Sequence, residues 1–161
     1  FMPADDARKQ LLDFSPPYFV IESTYLATAA SGIKSMNDID HMGIKVVGIE
    51  GSTTMRAATR TLKQATVTSA KSVDEAMAMM QAGTVQGFAL THDALPKLQK
   101  QLTDSVILDG AFQKVGVAIG IQKNRPAALA YVTAFIEDAK KDGTIRKAFD
   151  GAGLTSLSVA P

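Results

Sequence analysis

Apolar residues fall into short runs that alternate with longer stretches in which they recur every three or four positions. The short runs predict strands over residues 24–30, 44–49, 85–90, 106–108 and 115–121. The longer stretches predict helices over residues 55–65, 73–82, 93–101 and 127–141. Because strands and helices alternate, the expected fold class is α/β, with a central, mainly parallel sheet flanked by helices.

The second of these helices has signals at both ends. Ser72 and Glu75 form the pattern of a capping box, and Gly83 stands where a C-terminal glycine stop is expected. One face carries Val73, Ala76, Met77 and Met80. We interpret the cluster of Met77, Met79 and Met80 as gap-filling core residues, not as a recognition surface.

The last predicted helix follows Pro126 and ends before Gly143. An apolar stripe runs along one face of it and predicts a packing surface; the stripe consists of Ala128, Tyr131, Val132, Phe135, Ile136 and Ala139.

A Glu-Gly-Ser-Thr-Thr turn at residues 50–54 joins a predicted strand to a predicted helix. Gly51 lets the backbone approach a ligand closely, and the N–H groups of the first helical turn carry partial positive charge that suits a carboxylate or phosphate. Ser52, Thr53 and Thr54 can donate or accept through their hydroxyls. The alternative is an ordinary loop with a hydroxyl helix cap.

Composition excludes several function classes. The chain has 161 residues, of which 46% are hydrophobic and 20% charged, with a formal net charge of +1. Lysine and arginine are scattered, which argues against a nucleic-acid partner. Without cysteine there are no disulfides or thiolate metal sites, and no apolar run is long enough for membrane insertion.

The order and spacing of several motifs resemble one family. Arg8, Phe14-Ser15-Pro16-Pro17-Tyr18, the 50–54 turn, Gly83-Thr84-Val85, Gly116-Val117-Ala118-Ile119 and Asp142-Gly143-Thr144 follow one another as in the extracytoplasmic solute-binding proteins of ABC importers. The match is to the amino-acid-binding branch, bacterial solute-binding protein family 3. The resemblance implies a type II periplasmic-binding-protein-like clamshell whose two lobes close on a ligand.

The resemblance also implies a domain organisation. Residues 1–22 are expected to be the end of lobe 1 with the first hinge, residues 23–112 lobe 2, and residues 113–161 the second hinge and the return to lobe 1. Members of the family carry most of lobe 1 before the arginine that matches Arg8, so most of that lobe is expected to be missing from these 161 residues.

The resemblance gives Arg8 a role as the partner of the ligand's α-carboxylate, a task that suits its planar guanidinium. The alternative is a surface arginine paired weakly with Asp5 and Asp6. The hydroxyl-rich stretch that usually precedes this arginine is absent here, so hydroxyl contacts are not expected there.

A second departure concerns the ligand's ammonium group. The family usually presents an aspartate eight residues beyond the glycine that matches Gly83, and here that position is Thr91, with Asp93 two residues later. Either Asp93 reaches the site through a longer strand end, or the protein does not require an ammonium group. The structural alternative makes Asp93 the cap of a helix over residues 94–101.

The resemblance therefore implies a periplasmic protein that binds a small carboxylate, first of all an amino acid, and delivers it to the membrane subunits of an ABC permease. No cofactor, metal or catalytic residue is expected: the two histidines, His41 and His92, accompany no recognisable nucleophile or metal motif. Two alternatives remain, the ligand-sensing domain of a receptor and a dehydratase acting on a cyclic acid on the same fold.

Overall fold

The chain divides into two compact units in the computed structural model, which describes residues 3–4, 6–154 and 157–161. Unit 1 combines Phe1–Ile21 with Lys114–Pro161, and unit 2 is Glu22–Gln113. The elements in chain order are α1 (Asp6–Leu11), β1 (Leu12–Phe14), β2 (Phe19–Ala27), β3 (Lys45–Ile49), α2 (Thr53–Thr61), β4 (Thr66–Ala70), α3 (Val73–Gln81), β5 (Gly87–Thr91), α4 (Leu95–Gln99), β6 (Val106–Ile107), β7 (Gln113–Val117), β8 (Gly120–Gln122), α5 (Pro126–Lys141) and α6 (Thr144–Gly151). The chain thus leaves unit 1 within β2 and returns to it within β7.

Unit 2 is built on a sheet with the strand order β4-β3-β5-β2-β6, to which β7 adds by pairing with β2. Strand β3 runs parallel to both β4 and β5, whereas β2 runs antiparallel to β5 and β6. The α/β class predicted from the sequence is confirmed. Its parallel strands place the carboxyl ends of β3 and β5 at one edge of the sheet.

Both faces of this sheet are covered, which explains why β3 and β5 carry continuous apolar runs. On one face, Leu26, Val47 and Phe88 pack with the buried side chains of α3. On the other face, Tyr25 and Val46 pack with Ala58 of α2. Met77 and Met80 are buried in the first of these clusters, as predicted.

Local chemistry sets the ends of α3 as the sequence predicts. The Ser72 hydroxyl accepts a hydrogen bond from the Glu75 N–H at 3.1 Å, and the Glu75 carboxylate accepts one from the Lys71 N–H at 2.7 Å. Gly83 ends the helix at a φ of +68°, in the left-handed region that glycine enters without strain.

A close backbone approach holds α2 against β3. A Cβ atom added to Gly48 would lie 2.8 Å from the Cβ of Met55 and 3.2 Å from its Cα. Because these atoms belong to the first turn of α2, Gly48 lets the start of that helix lie directly on the strand.

Several predicted boundaries were wrong. Helix α2 begins at Thr53 and ends at Thr61, because Ser52 caps it and the chain is extended at Leu62. The strand expected over residues 115–121 is split into β7 and β8, and Ser15 binds both backbone groups of Ile119 in the gap. Strand β2 begins at Phe19 and ends at Ala27. Strand β4 was missed because hydroxyl residues alternate along it, so it lacks the apolar run that predicts a buried strand. It is a partly exposed edge strand.

Unit 1 has its own small core. Phe19, Val117, Ala139, Ile145 and Phe149 form a buried cluster, and the rings of Phe19 and Phe149 meet edge to face with centroids 5.5 Å apart. Strands β1 and β8 pair antiparallel beside it. Helices α5 and α6 therefore contribute the helical side of this core.

The apolar stripe of α5 is buried along only part of its length. Ile136 and Ala139 are buried, while Ala128, Tyr131 and Phe135 are exposed, the two aromatic side chains at 75% and 54%. Within this chain the helix packs through its last turns, and that the rest of the stripe is packing surface stays a prediction. Among the described residues, no helix has both the length and the apolar character needed to cross a bilayer.

Asp40 holds the segment that follows α2. Its carboxylate accepts hydrogen bonds from the N–H groups of Lys63, Gln64 and Ala65 at 2.7–3.0 Å. These bonds, that of Ala65 first, lower the pKa of Asp40 below its usual value. The carboxylate therefore stabilises the fold in its ionised form.

This arrangement predicts a pH dependence of stability. Because the folded-state pKa of Asp40 is lowered, its contribution is present above the unfolded-state pKa of about 3.9 and is lost as the pH falls through the lower folded-state value. We expect Asp40→Asn to be less stable at neutral pH and to lose less stability on acidification. Urea unfolding at a series of pH values measures this, with the exposed Asp104→Asn as control. Parallel stability curves for the wild type and Asp40→Asn would contradict the assignment.

Candidate functional site

Most of the candidate residues lie along one edge of the sheet of unit 2. Strands β3 and β5 are parallel, with Gly48 opposite Ala89 in register, so both strands end at this edge. The Gly51–Thr54 turn follows β3, and Thr91 is the last residue of β5. The structure therefore brings the turn and Thr91 together on neighbouring strand ends, whose spacing in a sheet is about 4.8 Å.

The turn presents backbone donors to solvent. Gly51 has a φ of +72°, and the Ser52 hydroxyl caps α2 by accepting from the Met55 N–H at 3.0 Å. Helix α2 begins at Thr53, and the hydrogen bonds of the described residues include none donated by the N–H groups of Thr53 or Thr54. Two donors at the positive end of the helix dipole are therefore available to an anion.

Arg56 adds positive charge to this turn. Its guanidinium donates to the Gly51 carbonyl at 2.7 Å, and the side chain is exposed. The carbonyl that receives this bond belongs to the glycine of the turn, so the arginine lies beside the open N–H groups. Sequence reasoning missed Arg56, although its position in the first turn of the helix was a signal.

The Thr54 side chain faces inward. Thr54 is only 5% exposed and Ser23 only 1%, and their hydroxyl oxygens lie 3.5 Å apart. The Ser23 hydroxyl also lies 3.3 Å from the Gln113 side-chain oxygen, to which it donates. The backbone N–H of Thr54 donates to no described residue, while its hydroxyl fixes the start of α2 to β2.

Ser23 and Gln113 were missed by sequence reasoning. Ser23 lies 31 residues from Thr54 and 90 residues from Gln113 in the sequence, so no local spacing links the members of this hydroxyl and amide network. The one available signal was the polar run Glu22-Ser23-Thr24 inside a strand whose other residues are mainly apolar. Because Ser23 donates to the Gln113 oxygen, the amide nitrogen of Gln113 keeps its two hydrogens for another acceptor.

Thr91 extends this network along the edge. It lies directly opposite Ser23 in the antiparallel pair of β2 and β5, so the two side chains point to the same face of the sheet. Thr91 is half-buried, and its carbonyl accepts from the Ala94 N–H at 3.1 Å. The group presented at the end of β5 is thus a neutral hydroxyl.

Asp93 has no capping role. Helix α4 begins at Leu95, its N-cap is Ala94, and no side chain caps it. The interpretation of Asp93 as the cap of a helix over residues 94–101 was therefore wrong. Strand β5 also ends at Thr91 without the extension that would have carried Asp93 to the edge in regular strand geometry, and the aspartate lies exposed in the turn that follows.

Arg8 lies in unit 1, on the short helix α1, where it is half-buried. Its guanidinium donates to the Pro3 carbonyl at 3.3 Å. Asp6 pairs with Lys9 at 3.7 Å on the surface, and Asp5 lies outside the described residues.

The segment after β1 is fixed within unit 1. Buried Ser15 donates its hydroxyl to the Pro16 carbonyl at 2.8 Å and accepts from the Ile119 N–H at 3.1 Å. A Cβ atom on Gly116 would lie 2.9 Å from Pro17, so the two segments touch closely. These contacts fix the segment after β1 against the segment that contains Gly116 and Ile119, within unit 1.

The described residues contain no group of three or more acidic or histidine side chains that could hold a metal ion.

Comparisons with known proteins complete the description. The family model for bacterial extracellular solute-binding proteins, family 3, matches residues 1–151. The chain is 28% identical over 149 residues to the ABC transporter glutamine-binding protein GlnH of Bacillus subtilis, covering 88% of this chain and 52% of that protein. It is 32% identical over 124 residues to a glutamine-binding protein of Geobacillus stearothermophilus, covering 76% and 46%. The chain thus spans about half the length of the curated relatives it matches.

Among solved structures, the ancestral amino acid-binding protein AncCDT-1, a precursor of cyclohexadienyl dehydratase, matches with a TM-score of 0.72 and 26% identity. The match covers 93% of this chain and 65% of that chain.

Proposed function

This chain belongs to the bacterial extracellular solute-binding proteins of family 3, and from that premise we propose that it binds a small carboxylate, first of all an amino acid, and delivers it to the membrane subunits of an ABC permease. Both curated relatives described above are glutamine-binding proteins, which makes glutamine the first ligand to test. The protein would work outside the cytoplasm, in the periplasm.

The observation that carries this proposal is the start of α2. The N–H groups of Thr53 and Thr54 are open at the positive end of a nine-residue helix, beside the guanidinium of Arg56. A ligand carboxylate placed there would receive backbone hydrogen bonds without displacing an existing partner.

In the proposed mechanism, the ligand's carboxylate has two partners, the Gly51–Thr54 turn and the guanidinium of Arg8. Unit 2 would be lobe 2 and would offer the Gly51–Thr54 turn, while unit 1 would form part of lobe 1 and offer the guanidinium of Arg8. Lobe closure, which the family resemblance implies, requires a ligand that binds the closed state more tightly than the open one. That difference in affinity drives closure, and the closed form would be what the permease recognises.

The edge of unit 2 also suits recognition of neutral polar groups. Thr91 and Gln113 offer a hydroxyl and an amide where the family resemblance leads one to expect a carboxylate. Asp93, exposed two residues beyond the end of β5, is the acidic group closest in sequence to Thr91. We therefore propose that the ligand's ammonium group adds to the binding affinity through Asp93 or makes no contribution to it.

Whether Asp93 binds the ligand's ammonium group can be tested with Asp93→Asn. If Asp93 accepts from the ligand's ammonium group, the variant will bind an amino acid at least about tenfold more weakly, because a charge-assisted hydrogen bond is lost, and will bind the deaminated acid unchanged. Isothermal titration calorimetry with an amino acid and with its deaminated counterpart measures both affinities. Asp104→Asn is the control, since Asp104 lies before β6, toward the far end of β2. Equal losses for both ligands would contradict the ammonium role.

The proposed function itself is tested by a thermal-shift screen of the intact protein. The ligands are the twenty amino acids and their deaminated counterparts, and a true ligand at a hundredfold excess over its Kd stabilises the protein by about 2.7 kcal/mol. Stabilisation by at least one carboxylate, weakened by changes in the Gly51–Thr54 turn, supports the proposal. A protein that no carboxylate stabilises would overturn it.

We further propose that the protein is a binder and not an enzyme. The groups that β3, β5, β7 and the start of α2 bring to this edge are hydroxyls, an amide, backbone N–H groups and the Arg56 guanidinium, with His92 and Asp93 exposed in the turn after β5, and both curated relatives are binding proteins. The structural match to a precursor of a dehydratase makes the test specific: a cyclic acid incubated with the protein and followed by NMR will remain unchanged.

A further inference from the structure

The sequence contains three Asp-Gly steps, at residues 109–110, 142–143 and 150–151. Such a step is a reactive point of the backbone, because the amide nitrogen after the aspartate can attack the carboxyl carbon of the aspartate side chain. Glycine has no side chain that would shield this nitrogen. The reaction needs a carboxyl group and an amide N–H that are not held by other partners, and the three steps differ in this respect.

The step at Asp142 is held on both sides. The Asp142 carboxylate accepts the Thr144 N–H at 2.8 Å, and the Gly143 N–H donates to the Lys140 carbonyl at 3.4 Å. Hydrogen bonds to Thr144, that of its side chain first, lower the pKa of Asp142 below its usual value, which favours the ionised form. An ionised carboxylate with hydrogen-bond partners is a poor target for a nitrogen that is itself engaged.

The step at Asp150 lies inside α6, which ends at Gly151. The Asp150 Oδ1 accepts from the Arg146 Nε at 3.0 Å and lies 2.8 Å from a second guanidinium nitrogen. Because Gly151 is a residue of the helix, its N–H belongs to the backbone hydrogen-bond ladder. The helix also fixes the backbone dihedral angles that have to rotate before a ring can close.

The step at Asp109 has neither restraint. Asp109 and Gly110 are both exposed, in a bend between β6 and β7. Within the part of the chain that the structure describes, the hydrogen bonds and ion pairs include none made by the Asp109 side chain or by the Gly110 N–H. Both reacting groups of this step are therefore available.

We propose that Asp109 is a site of spontaneous isomerisation to isoaspartate. The Gly110 nitrogen attacks Cγ of the protonated Asp109 carboxyl group; a N–Cγ bond forms, the Cγ–OH bond breaks, and the hydroxyl leaves with the amide proton as water. Water then adds to either carbonyl of the resulting five-membered succinimide. Addition at Cγ restores aspartate, whereas addition at the backbone carbonyl breaks the original peptide bond and leaves the chain running through Cγ, with a free α-carboxylate. One water leaves and one enters, so water is the only co-reactant.

Isoaspartate lengthens the backbone by one carbon between two points that are fixed on β2. Before the step, the N–H of fully buried Leu108 donates to the Tyr25 carbonyl at 2.9 Å. After it, the Phe112 N–H donates to the Ser23 carbonyl at 3.0 Å. The longer segment must bulge into solvent or break one of these bonds. We expect the isomerised protein to be less stable, because Gln113 and the start of β7 follow directly.

Trypsin separates the three steps, which lie in the peptides 101–114, 142–146 and 148–161. The folded protein is kept at neutral pH for several weeks and then digested. An isoaspartyl peptide has an unchanged mass and a different retention time, and it resists endoproteinase Asp-N at the converted residue. We expect conversion at Asp109 to be at least about tenfold faster than at Asp142 or Asp150, because the capped turn and the helix must open locally before they react.

Two controls assign this difference to the fold. In concentrated guanidinium chloride, where the chain is unfolded, we expect all three steps to convert at similar rates. Asp109→Glu keeps the charge but would have to close a less favourable six-membered ring, so its peptide 101–114 will stay unconverted. Asp142→Glu will leave the conversion of Asp109 unchanged. In the folded protein, conversion at Asp109 no faster than at Asp142 or Asp150 would overturn the proposal.

The effect on stability is measured by urea unfolding of aged wild-type protein and equally aged Asp109→Glu protein. We expect the aged wild type to unfold at a lower urea concentration, in proportion to its isoaspartate content. Equal midpoints at high isoaspartate content would show that the segment between Leu108 and Phe112 absorbs the extra carbon without loss. Neither experiment uses a ligand, so failure of every carboxylate to bind the protein would leave this proposal intact.

Discussion

Replacing Arg8 with alanine will weaken binding of a carboxylate ligand by at least about 2 kcal/mol, roughly a thirtyfold rise in Kd. A guanidinium can hold both carboxylate oxygens at once, and such a pair is strongest where water is excluded. Arg8 is half-buried on α1, so part of its desolvation has already occurred in the folded chain. Calorimetry of the intact protein with its best ligand measures the loss.

Two further variants sharpen this test. Arg8→Lys will recover little of the affinity, because one ammonium group cannot reproduce the two-pronged geometry. Arg125→Ala, at an exposed arginine before α5 whose side chain caps nothing, will bind like the wild type. An Arg8→Ala protein with wild-type affinity would remove Arg8 from the site and leave the Gly51–Thr54 turn as its anion-binding part.

Gly48→Ala will destabilise the protein by about 1–3 kcal/mol, the usual cost of forcing extra volume into a packed interior. The new Cβ would come within 2.8 Å of the Met55 Cβ, and a β-carbon next to the helix backbone cannot rotate away. The start of α2 will therefore move off β3. Because that start carries the open N–H groups of Thr53 and Thr54, the affinity for a carboxylate will fall together with the stability.

Gly151→Ala is the matched control for this change. Gly151 ends α6, and a Cβ added there meets no atom within 4 Å. Its replacement will leave stability the same or slightly higher, because alanine loses less conformational freedom than glycine in a helix. Urea unfolding gives both free energies. A Gly48→Ala protein as stable as Gly151→Ala would show that α2 can shift at no cost.

The features that sequence reasoning predicted correctly depend on neighbouring residues. A hydroxyl three residues before a helical N–H, as at Ser52 and Ser72, and a glycine that must adopt positive φ, as at Gly83, act through local geometry. The apolar residues of β3 and β5 are buried from both sides, so their strands stand out in the sequence. The α/β class follows from such elements.

The features that sequence reasoning missed depend on contacts between residues that are distant in the sequence. Ser23 and Gln113 meet although 90 residues separate them, and nothing in either local segment indicates that contact. Strand β4 lies at the edge of the sheet, where hydroxyl residues can face solvent, so its apolar pattern is weak. The alternative that made Asp93 a helix cap was wrong because α4 begins only at Leu95, after a turn in which the Ala94 N–H bonds the Thr91 carbonyl.

The contact between Ser23 and Gln113 joins the second residue of unit 2 to its last. Their side-chain oxygens are 3.3 Å apart, so this 92-residue segment starts and finishes at nearly the same point. A segment with adjoining ends can be moved as a cassette into a surface loop of another protein, or closed with a short linker and reopened elsewhere as a circular permutant. The exposed turn around Met42 and Gly43 is a natural place for new termini. Such a cassette would carry the Gly51–Thr54 turn with it.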